Sequence, residues 1–244
     1  MIKLTAKDTV LFIGDSITHG ARGYTMDLNH IFGHGFPSIV CGRLGADNYG
    51  EMPRFVNKGI SGDTAQNVYS RLSVDLLAYK PTVVNLLCGV NDACKSAELP
   101  LDMAVRKYIE TVDAIMRDTF ELLPNVTFFL CEPFFYDVRN QEAPYENIPH
   151  PFCAEPFVFD NSVRDEALIE KRKERIAGFQ AALPALAEKY GAIYVPFQDV
   201  FDKAAETTPA SYFIWDNIHP TMVGHQLMAD RWFEIAEAAF AAKK

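Results

Sequence analysis

The sequence predicts an α/β protein with three layers, in which a five-stranded parallel sheet lies between helices on both of its faces. Five short apolar runs, rich in β-branched and aromatic residues, have the composition of buried strands. Longer segments with the periodicity of helices alternate with these runs, and such alternation is typical of parallel sheets. The length of 244 residues and the hydrophobic content of 49% are sufficient for one continuous core.

The elements follow one another regularly along the chain. The predicted strands are residues 10–13, 55–56, 82–87, 126–130 and 192–195. The predicted helices are residues 37–44, 65–79, 101–123, 163–190 and 222–241. Because no repeat or linker-like segment interrupts the sequence, we expect residues 1–244 to form a single domain.

One long stretch, residues 132–161, breaks the alternation. It contains five prolines among several aromatic residues. Long loops in compact domains are usually functional or disordered, and this one is too aromatic for disorder. We therefore expect an ordered excursion over the site. Its hydrophobic residues would serve equally as a lid or as a dimer contact, so a homo-oligomer stays open.

The charge balance excludes some classes of partner. Asp and Glu number 32 against 23 Lys and Arg, giving a formal net charge of −9, which repels phosphate backbones. We expect no nucleic-acid partner. No stretch approaches the roughly 18 apolar residues that cross a bilayer, and the first residues lack the apolar core of a secretory signal. Five cysteines without a CxxC pair are typical of reduced thiols, and a cytoplasmic location is expected.

The end of the first predicted strand carries a candidate nucleophile. In open parallel sheets, ligands bind outside the carboxyl ends of the strands. There the sequence reads Gly14-Asp15-Ser16, in which glycine permits a tight turn and the serine stands where a helix would begin. Asp and Ser are also ordinary helix caps, so the tripeptide alone leaves both interpretations open.

Asp216 and His219 lie three residues apart near the C-terminus, before a helix that Pro220 would open. At this spacing the carboxylate would fix the tautomer of the imidazole, whose other nitrogen would face a serine. The alternative is a turn aspartate beside a partly exposed loop histidine.

Two further segments follow the second and third predicted strands, residues 57–64 and 89–92. The Gly62 N–H and the Asn91 amide, together with the Ser16 N–H, would supply three donors to the oxyanion of a tetrahedral intermediate. Glycine and asparagine also dominate ordinary turns, which is the alternative for either segment alone.

These four segments occur in one chain and in order, as GDSIT, NKGISGDT, GVND and DNIHP. Together they resemble the four blocks of the SGNH hydrolases, also called the GDSL esterase/lipase family. The resemblance implies a flavodoxin-like three-layer fold and a serine esterase that needs no metal or cofactor. It makes Ser16 the nucleophile, His219 the general base and Asp216 its orienting partner, with Ser16, Gly62 and Asn91 forming the oxyanion hole.

The resemblance leaves the substrate open, because families of this kind act on acetylated sugars, lysophospholipids, thioesters and small aryl esters. We expect short acyl groups, especially acetyl on a small or oligomeric carbohydrate, since the layout resembles the carbohydrate-esterase-like branch. The alternatives are a lysophospholipase or thioesterase, a noncatalytic carbohydrate-binding module, and a phosphoesterase with metal ligands Asp15, Asp92, Asp216 and His219. The complete set of four blocks argues against the last two.

Several other residues invite a functional interpretation. His19 would contact substrate or simply lie on the surface. His30 and His34, with Asp27, suggest a metal site only loosely, and a solvated loop is expected instead. Asp15 and Asp92 are expected to brace loops. Several aromatic residues would either stack on sugar rings or pack the excursion onto the domain; they are Tyr24, Phe134, Phe135, Tyr136 and Phe152.

Overall fold

Five parallel strands form one sheet in the part of the chain that the computed structural model describes, namely residues 2–25, 27–138 and 166–242. The strands are β1 (Thr9–Gly14), β2 (Arg54–Gly59), β3 (Val83–Leu87), β4 (Thr127–Cys131) and β5 (Ile193–Val195). Their order is β2-β1-β3-β4-β5, and every pair is parallel. The predicted five-stranded parallel sheet is confirmed. The order reverses at β1, so a crevice is expected at the carboxyl ends of β1 and β3.

Helices cover both faces of the sheet. They are α1 (Ser16–His19), α2 (Phe36–Asp47), α3 (Ala65–Ser70), α4 (Leu72–Asp75), α5 (Val90–Lys95), α6 (Leu101–Leu122), α7 (Glu166–Tyr190), α8 (Gln198–Ala205) and α9 (Met222–Ala242). Helices α2, α8 and α9 contribute to the core on one face, and α3, α4, α6 and α7 to the core on the other. Within the described residues, no helix is long and apolar enough to cross a membrane.

The strand β1 shows how the sheet separates the two cores. Val10 and Phe12 belong to the core beneath α2 and α9, whereas Leu11 and Ile13 belong to the opposite core. All four are fully buried. Successive side chains of a strand point to opposite faces, so an uninterrupted apolar run is what a strand covered on both sides requires.

The single helix predicted at residues 65–79 is wrong, because the chain forms α3, α4 and a 3-10 turn at Leu77–Tyr79. The break falls at Arg71, whose backbone has φ −112° and ψ 10°. Its guanidinium donates to the carbonyls of Lys58 (2.8 Å) and Gly14 (3.3 Å) and pairs with Asp63. These contacts tie the helix junction to the carboxyl ends of β1 and β2.

Other boundaries also differ from the prediction. Strand β2 runs to Gly59 and therefore contains Asn57 and Lys58, which were expected to follow it. Helices α5 and α8 were not predicted. Helix α9 begins at Met222, as its periodicity predicted, but Pro220 does not open it, because Pro220 forms an antiparallel bridge with Ile214.

The beginning of the predicted excursion is part of the core. Phe134 is completely buried, with its ring 4.6 Å from that of Phe201, and Phe135 is 5% exposed. The Glu132 carboxylate accepts the backbone N–H groups of Phe197 and Gln198, both at 2.8 Å. Phe134 and Phe135 therefore pack the domain and do not offer a stacking surface. Residues 139–161 of the excursion, including Phe152, lie outside the described residues.

Candidate active site

Ser16 is the first residue of α1, directly beyond the carboxyl end of β1. A Cβ atom on Gly14 would lie 1.9 Å from the carbonyl oxygen of Leu87, so only glycine allows β1 and β3 to meet here. The Asp15 carboxylate caps the helix by accepting the Ile17 N–H at 3.0 Å. This turn places the half-buried Ser16 at the edge of the sheet.

His219 lies in a short loop whose base is closed by the Ile214–Pro220 bridge. Within the loop, Asp216 Oδ1 accepts the backbone N–H groups of His219 (2.7 Å) and Ile218 (3.1 Å). The same carboxylate that contacts the imidazole therefore also holds the backbone that carries it.

Asn217 fixes this loop to the segment after β4. It has φ +75°, a conformation that asparagine tolerates better than most residues. Its Oδ1 accepts the Val138 N–H at 2.9 Å, and its carbonyl accepts the Tyr136 N–H at 3.0 Å. The buried Asn217 thereby limits the positions that its neighbours Asp216 and His219 can take.

The structure brings together Ser16, His219 and Asp216. Ser16 Oγ lies 2.8 Å from His219 Nε2, and His219 Nδ1 lies 2.6 Å from Asp216 Oδ2. With the Nδ1 proton donated to the carboxylate, Nε2 is free to accept the serine proton. The geometry is suited to activating the hydroxyl as a nucleophile.

The electrostatics favour the same assignment of protons. Burial opposes a charge on His219, but the hydrogen bond and the negative charge of Asp216 outweigh it and raise the pKa of the imidazole above 6.5. Burial likewise opposes ionisation of Asp216, yet the hydrogen bonds from His219 and Ile218 hold the pKa of this carboxyl below 3.8. Asp216 therefore stays ionised wherever His219 titrates.

Asp15 and Asp92 brace the loops around this site. The Asp92 carboxylate accepts the Ala65 N–H at 3.0 Å and so joins α5 to the start of α3. Burial raises the pKa of both carboxyls to about 7, against the lowering effect of the backbone N–H that each accepts. Both residues thus have the bracing contacts that the sequence led us to expect.

Gly62 lies in the loop that follows β2, and Asn91 lies in the first turn of α5, which follows β3; β2 and β3 are the two neighbours of β1. The Asn91 amide donates to the Asp63 carbonyl at 3.0 Å, which connects α5 to the loop after β2. Gly62 is exposed and has φ +84°, and its N–H has no hydrogen-bond partner in the part of the chain that the structure describes. Their role as oxyanion donors stays a prediction.

The histidines outside this group are dispersed. His30 bonds to Asp27, whereas the His34 ring lies 6.1 Å from the ring of His225. Across residues 2–25, 27–138 and 166–242, no three His, Cys, Asp or Glu side chains are grouped as a metal site requires.

Sequence reasoning missed the partners of His19. Its Nε2 lies 2.9 Å from the Tyr24 hydroxyl, and its Nδ1 lies 3.1 Å from Ser61 Oγ. The spacing between Ser16 and His19 indicates only that His19 lies on the same helix face as Ser16, because positions i and i+3 share a helix face. The contribution of Ser61 comes from a different loop and has no local signal.

A sequence model described as the GDSL-like Lipase/Acylhydrolase family matches residues 12–227. This range includes all four blocks and most of the chain. The chain belongs to this family. It is accordingly a carboxylic ester hydrolase.

Similar proteins align with almost the whole of this chain. An acetylxylan esterase from Geobacillus stearothermophilus is 26% identical over 232 residues, which is 93% of each chain. A crystal structure from Parabacteroides merdae, of a protein described as a GDSL-like lipase, is 30% identical with a TM-score of 0.77, covering 97% of this chain and 98% of that one. A crystal structure of the Geobacillus acetylxylan esterase is 25% identical with a TM-score of 0.72, covering 96% and 95%.

Proposed function

We propose that this chain is a serine esterase that hydrolyses short acyl esters, acetyl above all, on a carbohydrate. The observation that carries the proposal is the continuous contact from Ser16 Oγ to His219 Nε2 (2.8 Å) and from His219 Nδ1 to Asp216 (2.6 Å). This arrangement supports the assignment of Ser16 as nucleophile, His219 as base and Asp216 as orienting carboxylate.

In the acylation step, His219 Nε2 takes the hydroxyl proton as Ser16 Oγ forms a bond to the ester carbonyl carbon. The carbonyl oxygen becomes an oxyanion, which accepts hydrogen bonds from the Ser16 and Gly62 N–H groups and the Asn91 amide. When the intermediate collapses, the bond to the alkoxy oxygen breaks, and the leaving alcohol receives the proton from His219.

In the deacylation step, water repeats the attack on the acyl-serine. His219 takes a proton from the water, the acid leaves, and the proton returns to Ser16. Asp216 remains ionised throughout and stabilises the imidazolium that forms twice in each turnover.

The choice of an acetylated sugar has two supports. One is the similarity over 93% of the chain to a protein named an acetylxylan esterase. The other is Trp215, which is 41% exposed and whose ring lies 6.4 Å from that of His219. An exposed aromatic face beside the base is suited to packing against the apolar face of a sugar ring.

The test is turnover of p-nitrophenyl esters from acetyl to octanoyl by the wild type and by Ser16→Ala. We expect the rate to be highest for acetyl, and kcat to fall by at least about 10⁴-fold in the variant, because the nucleophile is lost. Circular dichroism checks that the variant is folded. Turnover of acetylated xylosides then tests the carbohydrate.

A matched serine variant makes the result specific. Ser73 is exposed on α4, so Ser73→Ala should keep full activity and full labelling by a serine-directed organophosphate, whereas Ser16→Ala should not be labelled. An active Ser16→Ala enzyme would refute the nucleophile, and a maximum at long acyl chains would refute the acetyl preference.

A further inference from the structure

We propose that His19, Ser61 and Tyr24 form a polar wall that recognises the hydroxyl groups of the sugar part of the ester. The proposal rests on the proposed function for the ester chemistry and adds the residues that determine the alcohol. Its basis is a hydrogen-bonded row in which the His19 ring joins the Ser61 hydroxyl (3.1 Å) to the Tyr24 hydroxyl (2.9 Å).

The polar wall stands beside the reacting atoms. Ser16 and His19 are the first and last residues of α1, and positions three apart lie on the same side of a helix. Ser61 directly precedes Gly62, whose N–H is the proposed oxyanion donor. The wall therefore borders the nucleophile on one side and the loop of the oxyanion donor on the other.

The backbone around the polar wall leaves little room for movement of α1. A Cβ atom on Gly59 would lie 2.3 Å from the backbone nitrogen of His19, so the end of β2 packs directly against α1. Arg22 donates from Nε to the Gly59 carbonyl at 3.1 Å, and its guanidinium lies 4.9 Å from the centre of the Tyr24 ring. Arg22 thereby positions the tyrosine on the same strand end.

Proton counting shows what the polar wall presents to a ligand. A neutral imidazole has one donor and one acceptor nitrogen. If Nδ1 donates to Ser61, then Tyr24 donates to Nε2, which leaves the Ser61 hydrogen to point outward and the Tyr24 oxygen to accept. The other tautomer reverses the two ends. Either way, the wall offers one donor and one acceptor at opposite ends of a ring.

Burial and the charge of Arg22 keep His19 in this neutral form. Burial lowers its pKa below 6.5, and the electrostatic effects of Arg22 and His34 lower it further. Around neutral pH both ends of the wall therefore remain complementary, and exchange of the tautomer adapts them to the ligand.

Such a pair of ends fits an alcohol that carries several hydroxyl groups spread over a sugar ring. A hydroxyl group both donates and accepts, whereas the methyl group of an acetyl ester does neither. The wall is also open to a ligand, because Tyr24 is 75% exposed and Ser61 is exposed. It does not have the burial of a purely structural network.

The experiment compares two acetyl esters, p-nitrophenyl acetate and a mono-O-acetylated methyl xyloside, in Tyr24→Phe, Ser61→Ala and the wild type. Each variant removes one hydroxyl. We expect KM for the acetylated xyloside to rise about fivefold, as for the loss of one hydrogen bond, with kcat within twofold. KM and kcat for p-nitrophenyl acetate should not change, because the p-nitrophenyl group has no free hydroxyl that could bond to the polar wall.

Tyr49→Phe is the matched control. Tyr49 is 89% exposed and lies between α2 and β2, at the amino end of the sheet and away from the site, so this variant should match the wild type on both esters. An equal loss on both esters in Tyr24→Phe would show that the wall only supports α1, and no loss on either would also overturn the proposal.

A binding measurement separates failure of the wall from failure of the proposed chemistry. In a Ser16→Ala background, the Kd for the acetylated xyloside should rise about fivefold on adding Tyr24→Phe. An unchanged Kd overturns the wall. Absence of Ser16-dependent turnover with this Kd shift present would instead overturn the esterase mechanism and leave the wall standing.

Discussion

At the scale of single residues, Gly62 connects backbone conformation to the proposed chemistry. Its φ of +84° is one that other residues adopt only with strain, while a Cβ atom there would meet no atom within 4 Å. Substitution therefore acts through the backbone and not through a clash. The effect on turnover is separable from the effect on stability.

We expect Gly62→Ala to lower the free energy of unfolding by about 1 kcal/mol, because its backbone is strained, and to lower kcat by about 10-fold or more. The fall in kcat is expected because the strained backbone turns its N–H away from the oxyanion. Gly50→Ala is the matched control, since Gly50 has φ +97° with open space around it and lies away from the site. Denaturant unfolding and acetyl ester kinetics measure both. Equal stability losses with an unchanged kcat in Gly62→Ala would remove Gly62 from the oxyanion hole.

Asp15 provides a prediction about pH. Since the pKa of His219 is raised above 6.5, kcat/KM should increase as the pH rises through a value above 6.5, where the base loses its proton. Burial lowers the pKa of His219, but the hydrogen bond and charge of Asp216 raise it, and the negative charge of Asp15 raises it further. Asp15→Asn keeps an oxygen that can accept the Ile17 N–H but removes the negative charge. The pKa of His219 should therefore fall, and the acid limb of the pH–rate profile should shift to lower pH. A limb that stays in place in a pH–rate profile would show that Asp15 has no electrostatic influence on the base.

The sequence predicted the residues whose chemistry requires a fixed local spacing. Asp216 and His219 are three positions apart, and Ser16 follows a strand-ending glycine, so short motifs contain the signal. The partners of His19 were not predicted, because Ser61 reaches it from a separate loop. Long-range side-chain contacts of this kind leave no periodicity in the sequence.

At the scale of elements, helices α2 and α9 are joined by a buried histidine. His225 Nδ1 accepts the N–H of Phe36, the first residue of α2, at 3.1 Å. This N–H has no partner within its own helix, so His225 acts as its cap. Burial, followed by the charges of His34 and His219, lowers the pKa of His225 to about 3.

Acid should therefore weaken the fold through His225. The unfolded chain binds this proton near pH 6.5 but the folded chain only near pH 3, so the contribution is complete above 6.5 and is lost as the pH falls toward 3. His225→Asn keeps an acceptor but does not titrate. Between pH 6 and 4 we expect its free energy of unfolding to fall by about 1.4 kcal/mol less per pH unit than that of the wild type. His30→Asn, at a largely exposed histidine, is the control. Parallel curves for the wild type and His225→Asn would contradict the prediction.

Element boundaries were predictable only where the burial of apolar residues decided them. The long helices α6 and α9 and the apolar strands followed periodicity and burial. Residues 65–79 did not, because the ion pairs and carbonyl contacts of Arg71 outweigh a helical pattern. Helices α5 and α8 have only six and eight residues, too few for periodicity to identify.

At the scale of the whole molecule, one hydrogen bond links the last helix to the central sheet. Trp232 Nε1 of α9 donates to Asn85 Oδ1 of β3 at 2.7 Å, and both residues are 1% exposed. A polar pair in an otherwise apolar core fixes how α9 lies across the sheet.

Trp232→Phe should lower the free energy of unfolding by about 2 kcal/mol or more, because it leaves the Asn85 oxygen buried without its donor. Adding Asn85→Leu should recover part of this loss, since removing both partners removes the unsatisfied group. Denaturant unfolding of the single and double variants measures the coupling. Additive losses would show that packing, and not the hydrogen bond, carries the effect.

The contact between Ser16 and His219 joins residues 203 positions apart. During synthesis on the ribosome, Ser16 is made before His219, which is added only after every strand of the described sheet has been translated. If Ser16 and His219 act as proposed, a nascent chain carries the nucleophile without its base and does not hydrolyse cellular esters. In refolding, recovery of turnover should be among the last signals to return, after secondary structure and after collapse. Enzyme activity thus reports closure of the long loop between Ser16 and His219.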